Sequence, residues 1–148
     1  MPTLNAQTQY KVKYTDQTLK VRPDCGYGVY VDLDEPRVQV ESDVAELNFS
    51  NNCTTAGTIH FELSNDVFGS AVDSESVTPI ECAEQVRTSP LAQGRDEPVR
   101  RGSVYCIMTS RNAAQASGIS WKMVILSVTS TSQNDTVTLK VSSWDIPV

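Results

Sequence analysis

The chain is short of the residues that most chemistry needs. Its single histidine, His60, lies in the run from Thr58 to Leu63, where Ile59, Phe61 and Leu63 alternate with His60 and Glu62. That alternation turns the imidazole toward solvent, and a triad also needs an orienting acid and a nucleophile in reach, so His60 reads as a surface residue. No Gly-rich phosphate loop is present. No apolar run approaches the roughly 20 residues that cross a bilayer, so no membrane insertion of this segment is expected. Positive charge is also scarce, with 12 Lys and Arg against 18 Asp and Glu and a net charge of -6. Such a surface repels phosphate, which argues against a nucleic-acid partner.

The cysteines stand alone at 25, 53, 82 and 106. None forms the paired CxxC knuckle of a zinc site, so no metal and no cofactor are expected. Disulfides are the better reading, and four buried free thiols in a cytosolic protein are the alternative. Four cysteines allow three pairings, of which the simplest joins neighbours, Cys25 to Cys53 and Cys82 to Cys106. Bridges place the protein outside the cell. No signal-peptide pattern is present, so Met1 is read as the initiator of a trimmed chain whose natural form extends upstream.

What is plentiful is Thr, Ser and Val in short alternating runs, which predicts an all-β antiparallel sandwich, or a barrel-like relative. Residues 1 to 8 carry no period and read as a linker remnant, with one sandwich domain over 9 to 148. Tyr10 to Tyr14 and Leu19 to Val21, separated by Thr-Asp-Gln, predict a first hairpin. Tyr27 to Leu33 follows as a strand, then strands near Val38 and Val40 and through Val44, Leu47 and Phe49. Asp32, Asp34 and Glu35 invite a calcium reading, but the offsets and central glycine of an EF-hand loop are missing. A solvated strand end before Pro36 is expected instead. Asn48-Phe-Ser, Asn52-Cys-Thr and Asn134-Asp-Thr fit the glycosylation sequon, a pattern short enough to recur by chance.

The strand pattern lapses from Ser64 to Gly102 apart from Val67-Phe68. Within that stretch Thr78-Pro-Ile-Glu81 has the form of a capping box and predicts one short helix over Pro79 to Val86. Cys82 falls on this helix and Cys106 on the strand from Gly102 to Ser110. A bridge between them leaves Leu91 to Gly102 as an exposed arch, and Arg111 to Gly118 reads as a polar connection. The closing hairpin pairs WKMVILSVT, Trp121 to Thr129, with TVTLKVSSW, Thr136 to Trp144. Placing Thr129 opposite Thr136 puts Val124, Leu126, Val128, Val137, Leu139 and Val141 on one face. The same register sets Trp121 across from Trp144 on the other face.

The segment RRGSVYCIMTS, with the run SWKMVILSVTSTSQNDTVTLKVSSWDI, resembles the end of a poorly characterised β-rich domain of exported actinobacterial proteins. The shared pattern is a glycine-led strand containing Cys, here Gly102 and Cys106, a polar loop, and a closing hairpin ending at Trp144. Cys82 before Ser89-Pro90-Leu91 is similar as well. The resemblance covers about the last half of the chain. It implies an extracellular location and a Cys82 to Cys106 bridge, and it brings no catalytic residues.

Four functions compete. A non-catalytic module that binds a protein or glycan at the cell surface fits the composition best, with Trp121 and Trp144 as a candidate stacking platform unless other elements cover them. A proteinase inhibitor is the second, with Arg95, Arg100 and Arg101 on the arch suited to a trypsin-like pocket. An enzyme using His60 as base is the third. A structural or assembly subunit pairing through an exposed strand edge, Lys11 to Tyr14, is the fourth.

Overall fold

The computed structural model describes residues 4–53, 59–132 and 134–147. The described strands are β1 (Lys11–Val21), β2 (Val29–Asp32), β3 (Arg37–Val38), β4 (Leu47–Asn51), β5 (Ile59–Leu63), β6 (Phe68–Val72), β7 (Glu97–Pro98), β8 (Val104–Met108), β9 (Trp121–Thr131) and β10 (Val137–Ile146). Two α-helices, α1 (Pro79–Thr88) and α2 (Arg111–Ser117), join them. The strands form two antiparallel sheets, one in the order β1-β10-β9-β8-β6 and the other β3-β2-β4-β5-β7. They pack as a sandwich, as the alternating runs predict. The main core lies between the sheets and contains Leu19, Val31, Leu47, Phe49, Phe61, Ile107, Leu126, Leu139 and Val141.

Residues Trp121 to Val128 of β9 are buried without a break. Successive side chains of a strand point to opposite faces, so the first sheet must be covered on both sides. Its outer face carries a second cluster, in which Trp121, Met123 and Ile125 pack with Cys82 and Val86 of α1 and with Val104, Cys106 and Met108 of β8. Leu4 and Tyr10 add partly buried side chains to it. Helix α1 begins with the expected box, Thr78 Oγ1 accepting from the Glu81 amide at 3.2 Å and Glu81 Oε1 accepting from the Thr78 amide at 3.0 Å. Cys82 is bonded to Cys106 and Cys25 to Cys53. Among the described residues no helix is long and apolar enough to cross a membrane.

Several local expectations give way. The first hairpin is one strand: β1 runs through the Thr-Asp-Gln segment along β10, with register shifts between Val12 and Tyr14 and between Tyr14 and Gln17. Asp16, at φ 49°, takes the left-handed conformation there, and its amide donates to Ser142 Oγ at 2.9 Å. A bulge absorbs what looked like a turn. In the closing hairpin Leu139 pairs with Val128 and Val141 with Leu126, two residues from the expected register, with an irregularity beside Leu139. A shift of two preserves faces, so the six aliphatic residues still share one. Trp121 consequently lies across from Ile146, and Trp144 from Met123.

Arg111 to Ser117 is a second helix, contrary to the polar connection expected. Ser110 caps it by accepting from the Ala113 amide at 3.0 Å, and Gly118 ends it at φ 69°. Val44 lies in a 3-10 turn, Ser42–Val44, and β6 emerges inside the supposed lapse, paired with β8. The arch is pinned to both sheets: β7 pairs with β5, Leu91 N donates to Gly69 O at 2.7 Å, and Gly102 N donates to Val128 O at 2.8 Å. Thr54, Thr58 and residues 1–3 lie outside the described residues, and with them one sequon and part of the expected linker. Residues 5–8 form a turn, Thr8 N donating to Asn5 O at 3.1 Å.

The bridge from Cys82 holds α1 over the second cluster across a separation of 24 residues. Replacing both Cys82 and Cys106 by Ser is expected to lower the unfolding free energy by about 3 kcal/mol, read from the urea midpoint of the two proteins.

Candidate functional site

A cleft of about 590 Å³ opens at one end of the sandwich. One wall is the turn from Leu33 to Pro36 between β2 and β3, with the 3-10 turn beside it, and the other is α2 with the segment leading into β9. Val44 and Ile119, each 45% exposed, stand on its rim. The floor is charged. Asp32, Glu46 and Lys122 line it although each is less than 5% exposed.

The turn is organised by one carboxyl group. Glu46 Oε1 accepts from the Leu33 amide at 2.9 Å and from the Asp34 amide at 3.0 Å. Asp32 Oδ1 accepts from the same Asp34 amide at 2.9 Å, and the Tyr14 hydroxyl donates to Leu33 O at 2.7 Å. Glu46, the residue before β4, is brought here by backbone pairing, since its amide donates to Val31 O at 3.0 Å and its carbonyl accepts from Ser64 N at 2.9 Å. Two cations compensate the acids. Arg37 clasps Asp32 Oδ2 through Nη2 at 2.6 Å and Nε at 3.2 Å. Lys122 Nζ donates to Asp34 Oδ1 at 3.3 Å and to Ser120 O at 2.7 Å.

One oxygen from each of Asp32, Asp34 and Glu46 lies within 4.8 Å of the others. Burial disfavours the charged form of a carboxyl, and neighbouring negative charge adds to the effect. Glu46 is pushed up to about 9, by desolvation first and then by Asp34 and Asp32, so it is a neutral acid at pH 7. It hydrogen-bonds the Asp34 carboxyl. Asp34 is raised by desolvation, with Lys122 opposing the rise, and the Tyr14 hydroxyl is raised by burial and by Glu46. The three carboxyls are close enough to share one cation, and the Lys122 ammonium meets one of them, Asp34.

The acidic segment is therefore not the solvated strand end expected, because Asp32 is 3% exposed. Glu35, grouped with the two aspartates in the sequence, turns outward and meets Lys13 at 3.5 Å, and Glu46 takes its place in the cluster. Glu46 and Lys122 were not singled out in the sequence, yet Lys122 carried a signal. It has the same parity as Val124, Leu126 and Val128, so the alternation that defines the core face places an ammonium on it.

The other candidates lie elsewhere. Trp121 is 2% exposed, its indole donating to Thr109 O at 2.6 Å, and half-buried Trp144 packs against the second cluster. Trp121 is therefore core, and Trp144 keeps part of its surface exposed. Arg95, Arg100 and Arg101 are exposed on the arch, and the pairing of β7 makes the Glu97–Pro98 part between them a sheet edge. His60 is half-buried between Ser50 and Pro98 on the outer face of the second sheet. Asn48 of the first sequon sits in β4 with its Oδ1 buried against Gly28, where a Cβ would come within 2.3 Å. Asn134 is exposed in the β9–β10 turn. No family model, curated protein or solved structure matches the chain.

A carboxyl whose folded value exceeds its unfolded one binds more protons when folded, so its contribution is fully present below the unfolded value, near 4.5, and is lost as pH rises through about 9. Glu46→Gln keeps an oxygen for the two amides and cannot ionise. Its unfolding free energy should decline less steeply than wild type over that range, the difference approaching about 1.4 kcal/mol per pH unit. Urea denaturation of both proteins at several pH values reads it.

Proposed function

We propose that the chain is a non-catalytic, exported binding module whose ligand, a protein or glycan at the cell surface, is taken by the cleft at the end of the sandwich. The observation that carries this reading is the pairing of exposed Val44 and Ile119 on the rim with hydrogen-bonding groups inside a cleft of about 590 Å³. Ligand sites combine apolar contact with a few convergent polar groups in this way. Export is supported by the two disulfides, which persist in oxidising compartments. The resemblance to exported actinobacterial domains belongs to the same proposal.

The absence of turnover is inferred from how the floor is engaged. Asp32 is held by Arg37, Asp34 by Lys122, and Glu46 by two amides, so no base is left aimed at an incoming substrate. Inhibition of a proteinase through Arg95, Arg100 and Arg101 draws less support, because the segment between them is tied into the second sheet. Assembly through a strand edge also draws less. β1 is indeed an outer strand of its sheet, but its register shifts and its lysines are the devices that discourage pairing.

The test is an NMR titration of the isotopically labelled protein with a panel of soluble cell-surface oligosaccharides and short peptides. Binding should perturb Val44, Ala113, Ile119 and Asp145, which all line the cleft. Ile119→Asp should weaken that binding about tenfold, the equivalent of 1.4 kcal/mol. A ligand that perturbs only the outer face of the second sheet, or one whose affinity Ile119→Asp leaves unchanged, overturns the assignment.

A further inference from the structure

Lys122 is an unusual counter-ion. Its side chain is 4% exposed, and its Nζ lies 3.3 Å from Asp34 Oδ1, one carbon–oxygen bond from the carboxyl carbon. The two residues come from opposite sheets and are held independently. Nζ is fixed by Ser120 O at 2.7 Å, and the Asp34 amide by Glu46 and Asp32. Glu46 in turn hydrogen-bonds the Asp34 carboxyl. An amine thus meets a carboxyl group that has an acid–base group beside it, at a place where Lys122 is almost wholly shielded from water, which is what amide formation needs.

We propose that Lys122 and Asp34 become joined by an intramolecular amide between Nζ and Cγ, with Glu46 as the catalytic acid–base group. Burying two opposite charges is costly, so moving one proton from Nζ to the Asp34 carboxylate along the existing hydrogen bond yields a neutral pair suited to the site. The Nζ lone pair then attacks Cγ, forming the carbon–nitrogen bond as the carbonyl π electrons move onto oxygen. Glu46 donates its proton to the departing oxygen and takes one from Nζ. The carbon–oxygen bond breaks with its electron pair, and water leaves through the cleft. One ammonium and one carboxylate become one secondary amide and one water. Glu46 ends as it began, and nothing is oxidised or reduced.

The bond fills a gap in the covalent frame. Cys25–Cys53 lies within the second sheet's surroundings, Cys25 bridging to Asn51 of β4, and Cys82–Cys106 ties α1 to β8 of the first sheet. Neither connects the sheets. A link from Lys122 of β9 to the turn after β2 does, across 88 residues of chain.

The experiment is the intact mass of the purified full chain, reduced and denatured, followed by a tryptic map. Wild type should be lighter than its sequence by one water. Trypsin should fail to cut after Lys122, and a branched peptide should join residues 21–37 to residues 112–140. Lys122→Arg should restore the full sequence mass. Glu46→Gln should leave the branch unformed while its mass before reduction shows both disulfides, which shows that this variant has folded. A wild-type chain at full sequence mass, cut normally after Lys122, overturns the proposal. So does a loss of water that persists in Lys122→Arg, or a branch whose fragments place it on a carboxyl other than Asp34. A complete branch in Glu46→Gln overturns the role given to Glu46.

Discussion

The constraint on which the rest of this structure depends is that β9 is apolar on both faces. A strand in an ordinary two-layer sandwich needs a partner on one side only, yet here Val124, Leu126 and Val128 fill the central core while Trp121, Met123 and Ile125 require cover on the other side. Helix α1, the partly buried Leu4 and Tyr10, and the Cys82–Cys106 bridge all follow from that need. The second sheet has no such strand. Tyr30, Asn48, Ser50, His60 and Glu62 of β2, β4 and β5 are each half-buried, and charged side chains line the cleft at one end of the sandwich.

Most of this architecture was legible because it rests on local signals. The capping box at Thr78 fixed where α1 begins, and the alternation of the closing hairpin fixed which residues face the core. What was not legible rested on distance or on a shift in register. Thr-Asp-Gln in β1 has turn chemistry, and only the long partner strand β10 keeps the chain extended through it. The helix at Arg111 was hidden because its alanines and polar residues have little amphipathic pattern. Its caps, Ser110 and Gly118, were the available evidence.

The site divides in the same way. Asp32 and Asp34 were noticed because they are adjacent in the chain, and Glu35 was grouped with them for that reason alone. Glu46 belongs with them only because β4 pairs beside β2 and sets Glu46 N against Val31 O. Lys122 belongs because the two sheets meet at that end. Sequence proximity identified a segment, and sheet pairing selected the atoms. The buried acid Glu46 then unites two roles, capping the turn through two amides and holding a proton beside Asp34.

The pairing of β1 with β10 has a mechanical meaning. The strands are antiparallel, so the beginning of β1 lies beside the finish of β10, with Lys11 opposite Asp145 and Val21 opposite Val137. Tension applied through those two ends pulls across the ladder rather than along it, and its hydrogen bonds are loaded one at a time, as in a zipper. The first rungs to part are those near Asp145, which together with Lys13 lines the cleft. A domain tethered at both ends would therefore lose the shape of its cleft at forces that leave the central core intact, making that end of the sandwich sensitive to load.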